Sequence, residues 1–437
     1  MDYSFRTLNY LGSKLRLLDF IEDNVKKITP VGARVCDLFA GSGCVSYRLS
    51  KSYPISACDI QTYSKVICHA LLGNFEISNN TINDFYDSFE AESAISLLHA
   101  FSPLIQVEEN AINEKNLDVL TNILEHGSVE VFNLEGAHSL LNEELHKVSQ
   151  NINEYGLSDE DSLISRYYGG IYFSYLQAVQ IDIILQSIHT IIQPKDRDVF
   201  LAALISTASD IADTVGKHFA QPIKARDSKG NIKVTVYNKA VKDKTINVFD
   251  LYKDWLARYL KLPKVQFNHN VIQDDYMNCL LVLSPDVKTV YADPPYTRDH
   301  YSRFYHVLET IALRDCPELS TTNIHGETHV SNGIYRKERH QSPFCIKSKA
   351  PEAFKNMFKY LASTHRNLLL SYSPYDETKK THPRVVTMEQ LLTWGKEYFE
   401  NVEVISAGSF KHNKLNSVQH FLEASEEAEL LFVFSKK

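Results

Sequence analysis

The sequence predicts an α/β protein built on a mainly parallel sheet and interrupted by a large, mainly helical insertion. Three observations carry that expectation. Two strand–tight turn–helix units follow one another within residues 33–72, which implies parallel strands. The same grammar lapses over 75–264, where helical periodicity takes its place, and it resumes from 265 onward.

Residues 13–28 read as an amphipathic helix, because Leu15, Leu18, Ile21, Val25 and Ile28 recur at three- and four-residue steps behind a candidate N-cap, Ser13. Pro30 and Gly32 stop it. Ala33 to Phe39 is an apolar run that turns through Ala40-Gly41-Ser42-Gly43 into a helix over 44–51. Ile55 to Ile60 repeats the pattern, with Asp59 near its carboxyl end and a helix over 61–72 behind it. Within the insertion the clearest helices span 175–192 and 197–215. Residues 217–244 then hold eight basic side chains (Lys217, Lys224, Arg226, Lys229, Lys233, Lys239, Lys242, Lys244) against Asp227 and Asp243, the densest positive stretch of the sequence. Strands are expected at 265–267, at 287–292 leading into Asp293-Pro294-Pro295-Tyr296, and at 367–372, with 402–405 and 430–434 as an antiparallel pair closing the sheet. The domains expected are therefore 1–74 with 265–437, and the insert 75–264.

Composition narrows the function. A chain of 437 residues with a net charge of −8 needs any nucleic-acid surface to be a local patch, which excludes a histone-like or tail-driven binder. The seven cysteines form no C-x-x-C pair and are odd in number, which excludes a zinc knuckle and a disulfide scaffold and fits reduced thiols. No stretch approaches the ~18 uninterrupted apolar residues of a membrane span, and Met1 to Arg6 lacks an apolar signal core. A cytoplasmic protein that engages no membrane is expected. The 17 histidines are scattered, and His300 and His306 lack an obvious third ligand, so no metal is expected.

Two constellations carry chemistry. Asp37 to Gly43 places an acid and two glycines where a strand meets a helix, at the edge of a parallel sheet where such folds bind cofactors. An ordinary βα turn has the same look. Ser46 stands where a dinucleotide fingerprint has its third glycine, and Asp59 is placed to accept hydrogen bonds from ribose hydroxyls, so an adenosine cofactor without a pyrophosphate suits the pattern better. Asp293-Pro294-Pro295-Tyr296 should project from the same edge. Its prolines remove two N–H donors and leave carbonyls as acceptors, so acid, carbonyl and ring together can take both protons of an exocyclic amine while the ring stacks on the attached base. A rigid strand-to-loop turn would use the same prolines.

With Asn9-Tyr10-Leu11-Gly12-Ser13-Lys14 as a third block, the chain resembles the S-adenosylmethionine-dependent N6-adenine-specific DNA methyltransferases, in the group whose catalytic tetrapeptide is Asp-Pro-Pro-Tyr and whose recognition region precedes it. The resemblance covers about 1–73 and 265–310, and 330–437 more loosely. It implies a Rossmann-like class I methyltransferase sheet, S-adenosyl-L-methionine as cofactor, and methyl transfer to N6 of an adenine flipped out of double-stranded DNA. By the same resemblance Tyr10 and Lys14 would hold the methionine end of the cofactor and Asp37 its amino group. Phe39, Gly41, Ser42 and Gly43 would wrap it, Asp59 would bind the ribose, and Asp275 would sit near the adenine, with Asp274 beside it as an alternative. Asp293, Pro294, Pro295 and Tyr296 would carry catalysis, with Tyr301, Phe304 or Tyr305 as a second ring. The insert would recognise DNA. From its position after the tetrapeptide, the basic stretch 333–344 is expected either to close over the base or its phosphates or to be a solvated loop. A cognate restriction endonuclease or defence partner would accompany such an enzyme. An N4-cytosine DNA methyltransferase would use the same mechanics but usually has Ser in place of Asp293. An RNA or protein-amide methyltransferase usually has Asn there.

Overall fold

The computed structural model describes residues 5–136, 139–298, 300–324, 326–373, 384–407 and 429–435. The chain divides into two compact units: Met1–Asn74 with Pro263–Ser302 and His340–Lys437, and Phe75–Leu262 with Arg303–Arg339. Nine strands lie among the described residues: β1 (Arg34–Asp37), β2 (Ile55–Asp59), β3 (Asn270–Gln273), β4 (Val287–Ala292), β5 (Thr321–Ile324), β6 (Glu327–Val330), β7 (Asn367–Tyr372), β8 (Asn401–Ser406) and β9 (Leu430–Ser435).

The first unit is a seven-stranded sheet in the order β3-β2-β1-β4-β7-β9-β8. β3, β2, β1, β4 and β7 are parallel, and β9 runs antiparallel to both β7 and β8. β1 is buried at every position, as a central parallel strand covered on both faces should be. Cys36, Leu38, Cys58, Val290, Leu368, Leu370, Phe432 and Phe434 share one core with the helices Tyr276–Val282, Ala350–Ser363 and Met388–Tyr398. The helices α1 (Leu18–Ile28), α2 (Cys44–Ser50) and α3 (Thr62–Leu72) pack on the other face.

Two expectations in this unit are corrected. Residues 265–267 form no strand, because the Val265 N–H and carbonyl bond the Asn74 side chain at 2.9 and 3.2 Å instead of a neighbouring strand, and pairing begins only at Asn270. The first helix starts at Leu18 behind a tight turn over Leu15–Leu17, so Ser13 does not cap it.

The second unit is mainly helical. Tyr175–Ile191 opens with a capping box between Ser174 and Gln177 and is buried on nearly every side. It packs against Glu92–Asn113, Arg197–Ile211 and Val248–Leu260 around Phe101, Tyr175, Phe200 and Trp255. The helix expected over 197–215 ends at Ile211, where the Asp213 N–H turns to the Tyr172 carbonyl at 2.9 Å. Residues 303–339, expected with the catalytic part, fall in this unit because the helix His306–Leu313 packs on Arg197–Ile211. They also contain the antiparallel hairpin β5–β6. No helix among the described residues is long and apolar enough to cross a membrane.

Candidate active site

Strand register assembles the site within the first unit. Asp37, the last residue of β1, stands opposite Ala57 of β2 and Tyr291 of β4. Side chains two residues apart share a face of a strand. Asp59 and Asp293 therefore rise on either side of Asp37, each one step beyond it. Asp59 in turn stands opposite Gln273 of β3, which sets Asp275 a further step along the same edge.

These acids line a cleft of about 1210 Å³, a figure that includes its open mouth. Tyr10, Lys14, Asp37, Phe39, Ser42, Asp59, Asp275, Asp293, Pro294, Pro295 and Tyr296 all border it. Gly41 and Gly43 shape the loop instead. Both have positive φ, and a Cβ on Gly41 would lie 2.6 Å from the Tyr10 hydroxyl oxygen, so the turn and the Tyr10 ring can meet only at a glycine.

The carboxylates are unequally satisfied. Asp37 Oδ2 accepts from the Ser46 hydroxyl at 2.7 Å, while Oδ1 is sealed from solvent with no hydrogen-bond partner among the described residues. Burial pushes its pKa up to about 7. Asp59 accepts the Gly41 and Gln61 N–H groups at 2.8 and 2.9 Å, yet burial still holds its pKa above the usual carboxylate range. Asp275 caps the helix Tyr276–Val282 through the Met277 N–H at 2.9 Å. Its neighbour Asp274 accepts from Asn278 and from the Asp275 N–H, which makes it a turn residue. Beside them Phe39, Tyr276 and Phe344 form an aromatic wall with ring centroids 4.9–6.4 Å apart.

Lys14, expected at the methionine end of the cofactor, borders the cleft and reaches toward Asp293. Its ammonium lies 2.8 Å from Asp293 Oδ2 and 3.2 Å from the Gly12 carbonyl, and is ion-paired with Glu429 Oε1 at 3.7 Å. Burial opposes this charge, but Asp293 and Glu429 together hold the ammonium pKa well above its ordinary value. Asp293 is pushed up to about 6 by burial against the pull of Lys14. Its Oδ1 is buried with no hydrogen-bond partner among the described residues. Tyr296 packs on Tyr372 at 5.0 Å, and the Arg384 guanidinium sits 4.7 Å from its ring centroid.

Glu429 is the residue that sequence reasoning missed. It is 1% exposed and accepts the Ser371 hydroxyl at 2.6 Å. The expected second ring resolves as Tyr301, which borders the cleft, whereas Tyr305 is buried in the second unit and Phe304 packs there on His218 at 4.7 Å. Of the basic stretch 333–344, His340 to Pro343 line the cleft. Arg336 instead makes a two-pronged ion pair with Asp315 at 2.5 and 2.6 Å and is buried.

Residues 10–126 match the family model of the D12 class of N6 adenine-specific DNA methyltransferases. The likeness to that class is carried by this stretch, about a quarter of the chain. The D12 match spans Tyr10, Lys14, Asp37 and Asp59 and stops short of Asp293. Over 430 residues, 98% of this chain, the sequence is 24% identical to Modification methylase LlaI of Lactococcus lactis subsp. lactis, covering 55% of that protein. It is 24% identical over 377 residues to Type II methyltransferase M.FokI of Planomicrobium okeanokoites, covering 84% of this chain and 44% of that one. A 90-residue stretch is 32% identical to Type II methyltransferase M.CviAII of Paramecium bursaria Chlorella virus 1, covering 20% of this chain and 28% of that protein. The chain thus spans about half the length of the two curated relatives it matches most extensively.

Proposed function

We propose that the chain transfers a methyl group from S-adenosyl-L-methionine to the exocyclic N6 of an adenine in double-stranded DNA, as the modification arm of a restriction–modification or defence system. The observation that supports this most is the pair of unpartnered, water-sealed carboxylate oxygens on Asp37 and Asp293, in one cleft and one strand apart. A buried carboxylate oxygen without a donor is costly, on the order of 1–3 kcal/mol, and is retained where a ligand supplies the donor.

The cofactor fits that chemistry. Asp37 Oδ1 is placed for an amino group, Asp59 for vicinal hydroxyls through its remaining lone pairs, and the Phe39–Tyr276 wall beside Asp275 for a flat base. When bound, the cofactor supplies a methyl already activated by its sulfonium. The protein then has to position and deprotonate the amine. Asp293 Oδ1 and the Pro294 carbonyl accept hydrogen bonds from its two N–H groups, drawing the nitrogen lone pair out of conjugation with the ring, and the one proton released on methylation goes to Asp293. Lys14 fixes Asp293 by holding Oδ2, so that Oδ1 faces the amine. The raised pKa of Asp293 lies nearer neutrality, which makes it a better proton acceptor than an ordinary carboxylate. Tyr296 offers its ring to the flipped base, whose extraction costs a few kcal/mol. The deciding experiment is base-resolved sequencing of modified nucleotides in DNA from cells expressing the chain. N6-methyladenine at a defined sequence is expected; N4-methylcytosine, or unmodified DNA, overturns the proposal.

A further inference from the structure

We infer that Arg303, Tyr335 and Arg339 of the second unit form a binding site for a phosphodiester of the DNA backbone, an inference that rests on the function proposed above. Two guanidinium groups share one aromatic ring: Arg303 lies 5.5 Å and Arg339 5.0 Å from the centroid of Tyr335. The ring is fixed from behind, because its hydroxyl donates to the Ala220 carbonyl and its edge meets the His306 ring at 5.2 Å.

Elsewhere in this molecule arginines near the surface of the core are met by carboxylates: Arg166 by Glu130, Arg226 by Glu125, and Arg336 by Asp315 only three residues from Arg339. Arg303 and Arg339 have no ion pair among the described residues, and Arg339 Nη1 is sealed from water without an acceptor. Arg303 depresses the ionisation of Arg339, second only to burial.

An anion arriving between the two groups relieves both the orphaned donor and the like-charge repulsion. Planar guanidinium forks match the paired oxygens of a phosphodiester, and stacking on Tyr335 holds the forks ready without a competing acid. The neighbouring charges do not occupy the site, since Asp315 is taken by Arg336 and Glu318 by Lys337 at 2.6 Å. In a chain of net charge −8 this leaves a local positive site where a polyanion gains the most.

The test is the salt dependence of binding to a fluorescently labelled DNA duplex, for the parent and for R303Q/R339Q. Each lost phosphate contact lowers the slope of log affinity against log salt by about 0.9. The double variant should therefore lose up to about 1.8 in slope, weaken on every duplex alike, and keep the parent's modified sequence. Arg303 is exposed, so R303Q alone, with an expected loss of about 0.9, keeps the test decisive if the double variant unfolds early. A parent that methylates DNA while both variants keep its slope and affinity overturns the phosphate site and leaves the proposed function standing. A parent with no affinity for DNA overturns both.

Discussion

Asp293 and Asp37 sit one strand apart and are assigned opposite partners, which makes them separable by substitution. Asp293→Ala should abolish methyl transfer while calorimetric titration with S-adenosylhomocysteine stays close to the parent's; an active Asp293→Ala protein would remove the amine-acceptor role. For Asp37 the pH dependence has a defined sign. Burial pushes its pKa up to about 7, so below that pH the carboxyl is protonated and must ionise before it can pair with an ammonium. Affinity for S-adenosylhomocysteine should rise with pH, up to about tenfold per unit below 7, and level off above it. Asp37→Asn should flatten the profile, and a parent that is already flat contradicts the assignment. Glu429 acts on Asp293 at one remove, through Lys14, and its negative charge raises the Asp293 pKa. Glu429→Gln should therefore move the acid limb of turnover to lower pH and reduce the plateau rate. An unchanged limb would reduce Glu429 to a packing role.

At the scale of elements, the parallel strands β1, β2 and β4 were legible because each leads into a recognisable punctuation: Asp37 before a glycine turn, Asp59 before a helix, Asp293 before two prolines. Each of those acids arrives at the carboxyl edge by rule. Glu429 was not legible for the converse reason. β9 runs antiparallel, so it is its first residue, not its last, that reaches that edge, and Glu429 precedes an apolar run with no turn motif to mark it. The Val265 strand misled because apolar alternation cannot reveal that an asparagine from residue 74 has taken the backbone groups. The βα turn itself is testable. Gly41→Ala brings a Cβ to 2.6 Å from the Tyr10 hydroxyl oxygen at a φ of +52°, so it should weaken S-adenosylhomocysteine binding severalfold. Far-UV circular dichroism should stay the same; undiminished binding would mean that the loop tolerates the shift. In the second unit, Lys244 and Glu108 form a buried pair at 2.7 Å. Lys244→Ala leaves buried Glu108 without its counter-ion, an expected loss of about 3–5 kcal/mol in chemical unfolding.

For the whole molecule, the basic stretch 217–244 was visible in the sequence, but how many of its charges are free was not. Lys217 pairs with Asp243, Arg226 with Glu125 and Lys244 with Glu108, while Lys233 and Lys239 donate to the carbonyls of Lys224 and Thr214. Lys224, Lys229 and Lys242 are exposed, without an ion pair among the described residues. Replacing these three with Gln should cost more DNA affinity at low salt than replacing Lys233 and Lys239; the reverse order would place the DNA surface elsewhere. The sheet order has a consequence in time. β9 is made after β8 yet inserts between β7 and β8, and it carries in the Glu429 that anchors Lys14 from the other extreme of the sequence. During synthesis the Lys14–Asp293 pair can form once β4 has emerged, but its anchor arrives some hundred and more residues later. A ribosome-bound chain halted after β8 should therefore hold an open sheet edge at β7 and an unfinished cleft, and be a target for chaperones rather than an early-acting enzyme.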